Sequence, residues 1–351
     1  MLDELKLLEQ RDTEKTLDSG VMQPDQLIME VDVVNRVNFT DQISSLVFVG
    51  MGGSALAAEF VQTWLKKEIG IPIEIVKSYN LPPYVDSNTL VIYGSCSGNT
   101  EEVLEALEEG KTRDVNRAII AGGGTLADRA IDESLSHVLL PQIKIQPRML
   151  TFIQVRAILA LLDVFKIIDA EPYLNDLASV HDWLKDEAKL WQKSVPTVNN
   201  QAKQLAELAV GKTPVFYGGD ITKCLTYKWK ISWNENAKNV AFYNTYPEVN
   251  HNEFIGWTSH PVEKPFIIFD MLSNFEHPRI LKRFEISDRL LSGRRPKANT
   301  LNLAGDSLLK QLCWGHLLAD FTSIYLGILN GVDPGPVPLV TKLKDELARV
   351  Q

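Results

Sequence analysis

The sequence predicts an α/β protein of two domains, each a mainly parallel, doubly wound sheet flanked by helices, with a helical tail at the C-terminus. Three observations lead to this prediction. The chain has 351 residues, more than one ordinary compact core holds. Apolar residues make up 45% and charged residues 23%, a composition that can bury a core in both domains. Short apolar runs alternate with amphipathic stretches twice along the chain, which is typical of strands followed by helices.

The first alternation begins with LVFVG, residues 46–50, an apolar run that ends in glycine and is followed by the helical pattern SALAAEFVQTWLKK. This order predicts a strand, a turn and a helix. Further strands are predicted at residues 71–76, 90–93 and 117–121, and the helical stretch TEEVLEALEEG separates the last two. These elements define a predicted N-terminal domain at residues 1–150, which starts with a helical arm.

Residues 151–195 have a strongly helical pattern and are predicted to form a connector. The second alternation gives strands at residues 214–218, 239–245, 265–271 and 300–303, in a predicted C-terminal domain of residues 196–351. The longest apolar stretch, Leu308–Leu329, contains Lys310, His316 and Asp320, which are costly in a bilayer. We therefore predict a core helix there rather than a membrane span.

The balance of charge limits the possible partners. The formal net charge is −9 without a long run of Lys or Arg, which argues against nucleic acid or an acidic membrane surface. A small anion remains possible, because a local cluster of donors acts within the screening length of about 8 Å. The three cysteines form no CxxC pair and indicate reduced thiols, and the charged N-terminus is unlike a signal peptide. We expect a cytoplasmic protein.

The first glycine-rich turn, GMGGSALA, satisfies a dinucleotide-binding fingerprint through Gly50, Gly52 and Ala55. That fingerprint also needs an acidic residue about 20 residues on, at the end of the next strand. The only candidate, Glu74, lies inside the run IPIEIV. A plain tight turn is therefore the better interpretation of this segment.

The loop SCSGNTEE, residues 95–102, follows a predicted strand and opens a helix. Ser95, Ser97 and Thr100 supply three hydroxyl donors at a helix N-terminus, where the dipole and the free N–H groups favour an anion. A terminal phosphate, with nearly two charges and three oxygens, needs donors of this kind from several directions. The alternative is that Thr100 is only an N-cap and the serines are only turn residues. Three hydroxyls together favour phosphate.

GMGGSA followed by SCSGNTEE, in tandem α/β halves, resembles the sugar isomerase (SIS) domain fold, whose members bind phosphosugars with such a loop. QPRML, WNENAKN, EVNHNEFIGW and VDPGPVPLVTKLKDEL follow in the order seen in the bifunctional phosphoglucose/phosphomannose isomerase family, which the chain resembles over nearly its whole length. The chain departs from the family at Cys96, where an aromatic is common, and at Ala57 and Ala58, which replace expected glycine. The resemblance implies two SIS-type domains and phosphate binding that also involves Gly53 and Ser54.

Isomerisation of an aldose to a ketose needs a base that moves hydrogen between C1 and C2, a cation near the enediolate, and a group that opens the ring. The resemblance implies that Glu235 is the base, that His251 opens the ring, that Arg148 stabilises the enediolate and that Lys344 lies beside the ring oxygen. Without the resemblance, bland interpretations compete at each position: a solvated helix-end glutamate, a turn histidine, a surface ion pair and a solvated lysine.

The leading prediction is a metal-free isomerase without a cofactor, which interconverts glucose 6-phosphate and fructose 6-phosphate and also takes mannose 6-phosphate. The six histidines show neither HxH nor HExxH spacing. No GxSxG elbow occurs, and Cys96, although at a helix N-terminus that could lower its pKa, sits among the phosphate donors. The alternatives are a non-catalytic sugar-phosphate regulator and an aminating SIS enzyme, for which the sequence offers neither a basic helix-turn-helix nor an N-terminal Cys.

The resemblance also implies a homodimer with shared active sites, in which His251 reaches into the neighbouring subunit. Phe254, Ile255 and Trp257, on the same loop, fit an interface segment because aromatic anchors are enriched at interfaces. Burial of this loop inside its own domain is the alternative, so action of His251 in cis remains open.

Overall fold

The computed structural model describes residues 1–37, 42–259, 265–347 and 349. Contacts divide the chain into two compact units. We call Met22–Asp186 with Gly305–Cys313 the six-stranded unit, and Met1–Val21 with Glu187–Ala304 and Trp314–Gln351 the four-stranded unit. The domain boundaries at residues 150 and 195 stay a prediction.

The strands and helices of the described residues are numbered in chain order. The strands are β1 (Val33–Val34), β2 (Ser45–Gly50), β3 (Ile73–Val76), β4 (Thr89–Ser95), β5 (Asn116–Ala121), β6 (Ser136–Leu139), β7 (Thr213–Gly218), β8 (Phe242–Thr245), β9 (Phe266–Leu272) and β10 (Ala298–Asn302). The α-helices are α1 (Leu5–Arg11), α2 (Thr16–Met22), α3 (Gly52–Trp64), α4 (Glu101–Thr112), α5 (Gly124–Asp132), α6 (Thr151–Val164), α7 (Glu171–Leu190), α8 (Gln201–Ala209), α9 (Lys223–Asn236), α10 (Glu253–Gly256), α11 (Pro278–Leu290), α12 (Leu308–Leu329) and α13 (Pro338–Leu347).

The sheet of the six-stranded unit has the order β1-β6-β5-β4-β2-β3. Strands β2 to β6 are parallel and β1 pairs antiparallel with β6 at the edge, so the sheet is mainly parallel, as predicted. Every residue of β2 and β4 is buried, as expected for central strands covered on both faces. One face packs against apolar residues of α4 and α5, while α3 packs against α6, where the rings of Phe60 and Phe152 lie 6.3 Å apart.

The four-stranded unit contains a fully parallel sheet of order β10-β9-β7-β8. The relative order of its strands matches that of β5-β4-β2-β3 in the other sheet, so both are doubly wound in the same way. Aromatic side chains fill the space between this sheet and α9: the ring of Phe216 lies 5.3 Å from that of Trp233 and 5.6 Å from that of Phe269. This packing holds α9 against the sheet.

Helix α12 is the apolar stretch that the sequence predicts as a core helix. It is long and apolar enough to cross a membrane by length and composition, but 94% of its most apolar window is buried inside the protein. In its interior Asp320 accepts hydrogen bonds from Lys228 Nζ at 2.8 Å and from Ser232 Oγ at 2.8 Å. The carboxylate of Asp320 is thus paired with Lys228 in the protein interior, which agrees with the prediction of a core helix.

Candidate active site

The carboxyl ends of β2 and β4 are neighbours in the six-stranded unit, where Gly50 pairs with Gly94. The chain leaves β2 towards β3 on one side, and β4 continues to β5 on the other. The two connections therefore diverge, and in sheets of this type ligands bind in the crevice between them. The turn GMGGSA and the Ser/Thr loop, residues 95–100, are these two connections.

Hydroxyl groups cluster within the Ser/Thr loop. Ser95 Oγ lies 2.8 Å from Thr100 Oγ1 and 3.4 Å from Ser97 Oγ, and it accepts a hydrogen bond from the N–H of Gly98 at 3.0 Å. Ser95 is buried whereas Ser97 is exposed. The sequence prediction that these three residues act as a group is consistent with this arrangement.

Thr100 holds the N-cap position of α4, but its side chain makes no cap hydrogen bond. The side chain of Thr100 therefore accepts from none of the first-turn N–H groups of α4, whereas its carbonyl oxygen accepts from those of Val103 and Leu104. Glu101 and Glu102 follow in the first turn. A residue that is only a cap would bond to these N–H groups, so the geometry favours a helix N-terminus that offers donors to an anion.

Close backbone packing fixes the shape of the loop. Gly98 has a φ of +69°, and a Cβ at this position would lie 1.6 Å from the carbonyl oxygen of Gly123. The side chain of Asn99 accepts a hydrogen bond from the N–H of Thr125 at 3.0 Å. The loop after β4 is thus held by the loop after β5, and only glycine at position 98 allows this approach.

The turn after β2 lies against Arg148. A Cβ at Gly53 would be 2.9 Å from the Cα of Arg148, so the backbone at Arg148 passes directly over the start of α3. The side chain of Arg148 is 1% exposed, which excludes the bland interpretation of a surface ion pair. On the same turn, Ser54 Oγ lies 3.7 Å from Cys96 Sγ.

The six-stranded unit thus brings together six residues that the sequence analysis selected: Gly53, Ser54, Ser95, Ser97, Thr100 and Arg148. Cys96 lies among them as a free thiol. Burial raises the pKa of this thiol, with a smaller opposing effect of the hydrogen bond to Ser54. This direction is opposite to the lowering considered for a thiol at a helix N-terminus, because burial disfavours the charged thiolate.

The other three predicted residues belong to the four-stranded unit. Glu235 is half-buried in the last turn of α9. Lys238 follows with a φ of +50°, and its Nζ donates to the carbonyl oxygens of Glu235 at 2.8 Å, Asp333 at 2.7 Å and Pro334 at 3.1 Å. One ammonium group therefore joins the end of α9 to the turn that precedes α13. Lys238 lies in the run WNENAKN, but its role was not predicted from the sequence.

His251 is exposed, on a loop whose neighbouring side chains are anchored. Asn250 donates to Ser287 Oγ at 2.8 Å and accepts from Arg283 at 3.0 Å. Glu253, two residues after His251, is another carboxylate to consider as the base; it accepts hydrogen bonds from Tyr217 Oη and, at 2.7 Å, from the side-chain amide of Asn244. Both carboxylate oxygens of Glu253 thus accept hydrogen bonds, which stabilise the loop against Tyr217 and Asn244.

The prediction that Trp257 anchors an interface is wrong, because its side chain lies in a core. Trp257 is 7% exposed, lies in the core of the four-stranded unit and donates to Tyr217 Oη at 3.1 Å, so it cannot be an interface anchor. Its indole packs inward because the hydroxyl of Tyr217 satisfies its N–H. Phe254 also packs against this core, whereas Ile255 is 69% exposed.

Lys344 is exposed on α13, and so is Lys342, two residues earlier on the same helix. Exposure alone does not distinguish the two lysines, and the role of Lys344 stays a prediction. Within the ranges that the structure describes, which leave out His260, no group of three or more His, Cys, Asp or Glu side chains could hold a metal ion. The metal-free mechanism also stays a prediction.

Comparisons with known proteins give consistent results. Residues 40–157 match the model of the SIS domain, and residues 198–347 match that of the bacterial phospho-glucose isomerase C-terminal SIS domain. The chain is 32% identical over 305 residues to a bifunctional phosphoglucose/phosphomannose isomerase of Aquifex aeolicus, with 87% of this chain and 90% of the relative covered. An enzyme of the same name from Caldicellulosiruptor bescii is 30% identical over 333 residues, with 93% and 97% covered.

Among solved structures, the C-terminal domain of glucosamine-fructose-6-phosphate aminotransferase from Francisella tularensis superposes with a TM-score of 0.67 at 14% identity. The superposition covers 95% of this chain and 97% of that domain. At this identity the likeness concerns the fold alone, and it agrees with the prediction of two SIS-type domains.

Proposed function

Because the chain belongs to the bifunctional phosphoglucose/phosphomannose isomerase family, we propose that it interconverts glucose 6-phosphate and mannose 6-phosphate with fructose 6-phosphate. The observation that carries this proposal is the hydroxyl cluster of Ser95, Ser97 and Thr100 at the switch point of the six-stranded unit, in a chain that matches these isomerases over most of its length.

The Ser/Thr loop holds the phosphate of the substrate. Its hydroxyls and the first two N–H groups of α4, those of Glu101 and Glu102, donate to the phosphate oxygens, and the helix dipole adds to the attraction. Gly53 and Ser54 complete the site, since the turn after β2 approaches the loop at Cys96. Binding of the phosphate group orients the sugar, and the reaction takes place at C1 and C2, at the opposite end of the substrate.

The chemistry is a proton transfer that needs no outside oxidant. His251 assists ring opening by exchanging the proton of the anomeric hydroxyl, and Lys344 lies beside the ring oxygen. Glu235 removes the proton from C2, the C–H electron pair forms the C1–C2 double bond, and the carbonyl oxygen gains negative charge. Arg148 stabilises that enediolate. The proton on O2 moves to O1, and Glu235 returns its proton to C1, so that C2 becomes the carbonyl carbon of the ketose.

Glucose and mannose phosphates differ in configuration at C2 and give the same enediolate once C2 is planar. Acceptance of both therefore requires a rotation about the C2–C3 bond, not a second base. No finding favours the alternative of a non-catalytic sugar-phosphate regulator, which would bind these sugars without turnover. We also propose that the chain works in the cytoplasm as a homodimer whose active sites are shared.

A coupled assay with glucose 6-phosphate, mannose 6-phosphate and fructose 6-phosphate, with and without chelator, tests the proposal. We expect turnover of all three and no effect of the chelator. Binding without turnover would support the regulator, and a loss of activity that zinc restores would contradict the metal-free mechanism. Turnover of the glucose phosphate alone would limit the proposal to one substrate pair.

A further inference from the structure

The four-stranded unit has a switch point of its own. Its central strand β7 lies between β8 and β9, just as β2 lies between β3 and β4 in the six-stranded unit. The connection from Gly218 to α9 and the connection from Leu272 to α11 are thus the counterparts of the GMGGSA turn and the Ser/Thr loop. Because the two sheets share this order, the four-stranded unit has the topology that places an anion crevice at the carboxyl ends of β7 and β9.

A carboxylate of the chain itself occupies this second crevice. Oε2 of Glu276, which follows β9, lies 2.9 Å from the backbone nitrogen of Ile221, just before α9. Oε1 of the same group lies 3.3 Å from the backbone nitrogen of His277. Glu276 is 5% exposed, and a Cβ at Gly219 would lie 2.3 Å from its Oε2. The carboxylate therefore rests against the backbone that leaves β7.

The hydroxyl group in this crevice is also engaged within the chain. Thr222 Oγ1 accepts a hydrogen bond from the N–H of Gly219 at 2.8 Å and donates to the carbonyl oxygen of Met271 at 3.2 Å, and Thr222 is fully buried. By contrast, Ser97 of the Ser/Thr loop is exposed, and Thr100 makes no cap bond. The two crevices share a topology but differ in the donors that remain for a ligand.

We propose that Glu276 is a built-in anion that closes the crevice of the four-stranded unit to phosphate monoesters, so that each chain binds one phosphosugar, at the Ser/Thr loop. A phosphate in the second crevice would have to displace a buried carboxylate, or lie beside it and be repelled by its charge. The location of the open site rests on the proposed function, whereas the closure by Glu276 does not.

Equilibrium dialysis of the full chain against radiolabelled inorganic phosphate, at fixed ionic strength, counts the sites. We expect one phosphate per wild-type chain and two per chain of Glu276→Ser, which opens the crevice and supplies a hydroxyl. Glu276→Gln keeps the volume but removes the charge, so we expect a second, weaker site. The double variant Ser97→Ala, Thr100→Ala, which retains Glu276, should bind no phosphate. Addition of Glu276→Ser to this double variant should give one phosphate per chain.

Glu285→Gln is the matched control, because Glu285 lies exposed on α11 and its replacement removes the same charge without touching the crevice. We expect it to bind one phosphate. Circular dichroism verifies the folding of each variant. If Glu276→Ser does not fold, the number of phosphates bound by Glu276→Gln tests the closure by Glu276. A wild type with two sites, or folded Glu276 variants that bind as many phosphates as wild type, would overturn the inference. If the double variant Ser97→Ala, Thr100→Ala still binds one phosphate as tightly as wild type does, the proposed site at the Ser/Thr loop is contradicted instead.

Discussion

We propose that Ser97 and Thr100 bind the phosphate of the substrate through their hydroxyl groups. Ser95 is buried and holds the loop through Gly98, whereas Ser97 is exposed and Thr100 does not cap α4 with its side chain. Ser95→Ala should therefore affect stability as well as binding, and the other two hydroxyls are the better probes of the substrate.

We predict that the double variant Ser97→Ala, Thr100→Ala raises KM at least tenfold with a smaller effect on kcat. Each lost hydrogen bond to a charged phosphate is worth about 1.5–3 kcal/mol, which is about one to two orders of magnitude in affinity. Steady-state kinetics with fructose 6-phosphate measure both constants, and circular dichroism confirms the fold. An unchanged KM in a folded variant would rule out this phosphate site.

For Glu235, the expected effect falls on turnover. Glu235→Gln should keep sugar-phosphate affinity and lower kcat by about 10²-fold or more, with a parallel fall in deuterium exchange at C2. Glu253→Gln is the comparison, because Glu253 is held by Tyr217 and Asn244 and should act through the stability of the loop. Normal exchange in Glu235→Gln, together with its loss in Glu253→Gln, would transfer the role of base to Glu253.

Asp270 makes stability depend on pH. Burial raises its pKa to about 7 from an ordinary value of 3.8; Arg295 opposes the rise and Asp288 adds to it. Since the folded pKa lies above the unfolded one, its stabilising contribution is complete below pH 4 and is lost as the pH rises to 7. Asp270→Asn should remove this fall in the free energy of unfolding, which is on the order of a few kcal/mol. Urea unfolding at several pH values measures it, with exposed Asp345→Asn as control; parallel curves for Asp270→Asn and wild type would contradict the assignment.

At the scale of elements, α9 is anchored to α12 by a buried polar contact. Lys228 and Ser232, one turn apart on α9, both bond to Asp320 on α12, and Asn236 donates to Ser323 Oγ at 2.8 Å one turn further on. All these side chains are buried. These contacts hold α9 against α12, and α9 carries Glu235 in its last turn.

We predict that Asp320→Asn destabilises the protein by about 3–5 kcal/mol, because it leaves the ammonium group of Lys228 buried without a countercharge. The double variant Lys228→Met, Asp320→Leu removes both charges and should cost much less. Chemical denaturation of the three proteins gives the free energies of unfolding. Equal losses in the single and double variants would show that packing, not charge, dominates this contact.

The elements differ in how far sequence predicts them. β2, β4 and β7 are short apolar runs that end at or next to glycine or serine before a helix, and this local pattern is enough. β1 has two residues and depends on its pairing with β6, which has four residues and also pairs with β5. The sequence analysis missed them because β6 merges with the apolar run that leads to Arg148. Predicted strand 239–245 begins only at Phe242, since Asn239 completes the end of α9.

The same distinction holds for the site. The hydroxyls of the Ser/Thr loop are adjacent in sequence, so their proximity was predictable. The approach of Gly53 to Arg148 joins segments far apart in the chain, and only the resemblance selected both residues. Nothing in local spacing indicates that Glu276 reaches the N–H of Ile221, because that contact depends on two strands being neighbours in the sheet. Lys238 had a local signal, its place in NENAK next to the end of α9, that the sequence analysis did not use.

At the scale of the whole molecule, the open question is which subunit uses His251. The side chain is exposed, while Asn250 and Glu253 beside it are fixed by hydrogen bonds, so the loop presents the imidazole outward from a rigid support. Exposure of the imidazole is compatible with action in trans in the proposed homodimer, and the choice between trans and cis stays a prediction.

Mixing two inactive variants distinguishes action in trans from action in cis. Glu235→Gln and His251→Ala chains are dissociated, combined and reassociated, and subunit exchange is verified with a tagged chain. If His251 acts in trans, each mixed dimer has one site with both lesions and one site with neither. Random pairing makes half of the dimers mixed, so about one quarter of all sites should regain activity in a twofold dimer. If His251 acts in cis, every site retains one lesion, and the absence of recovery after proven exchange would refute the shared site.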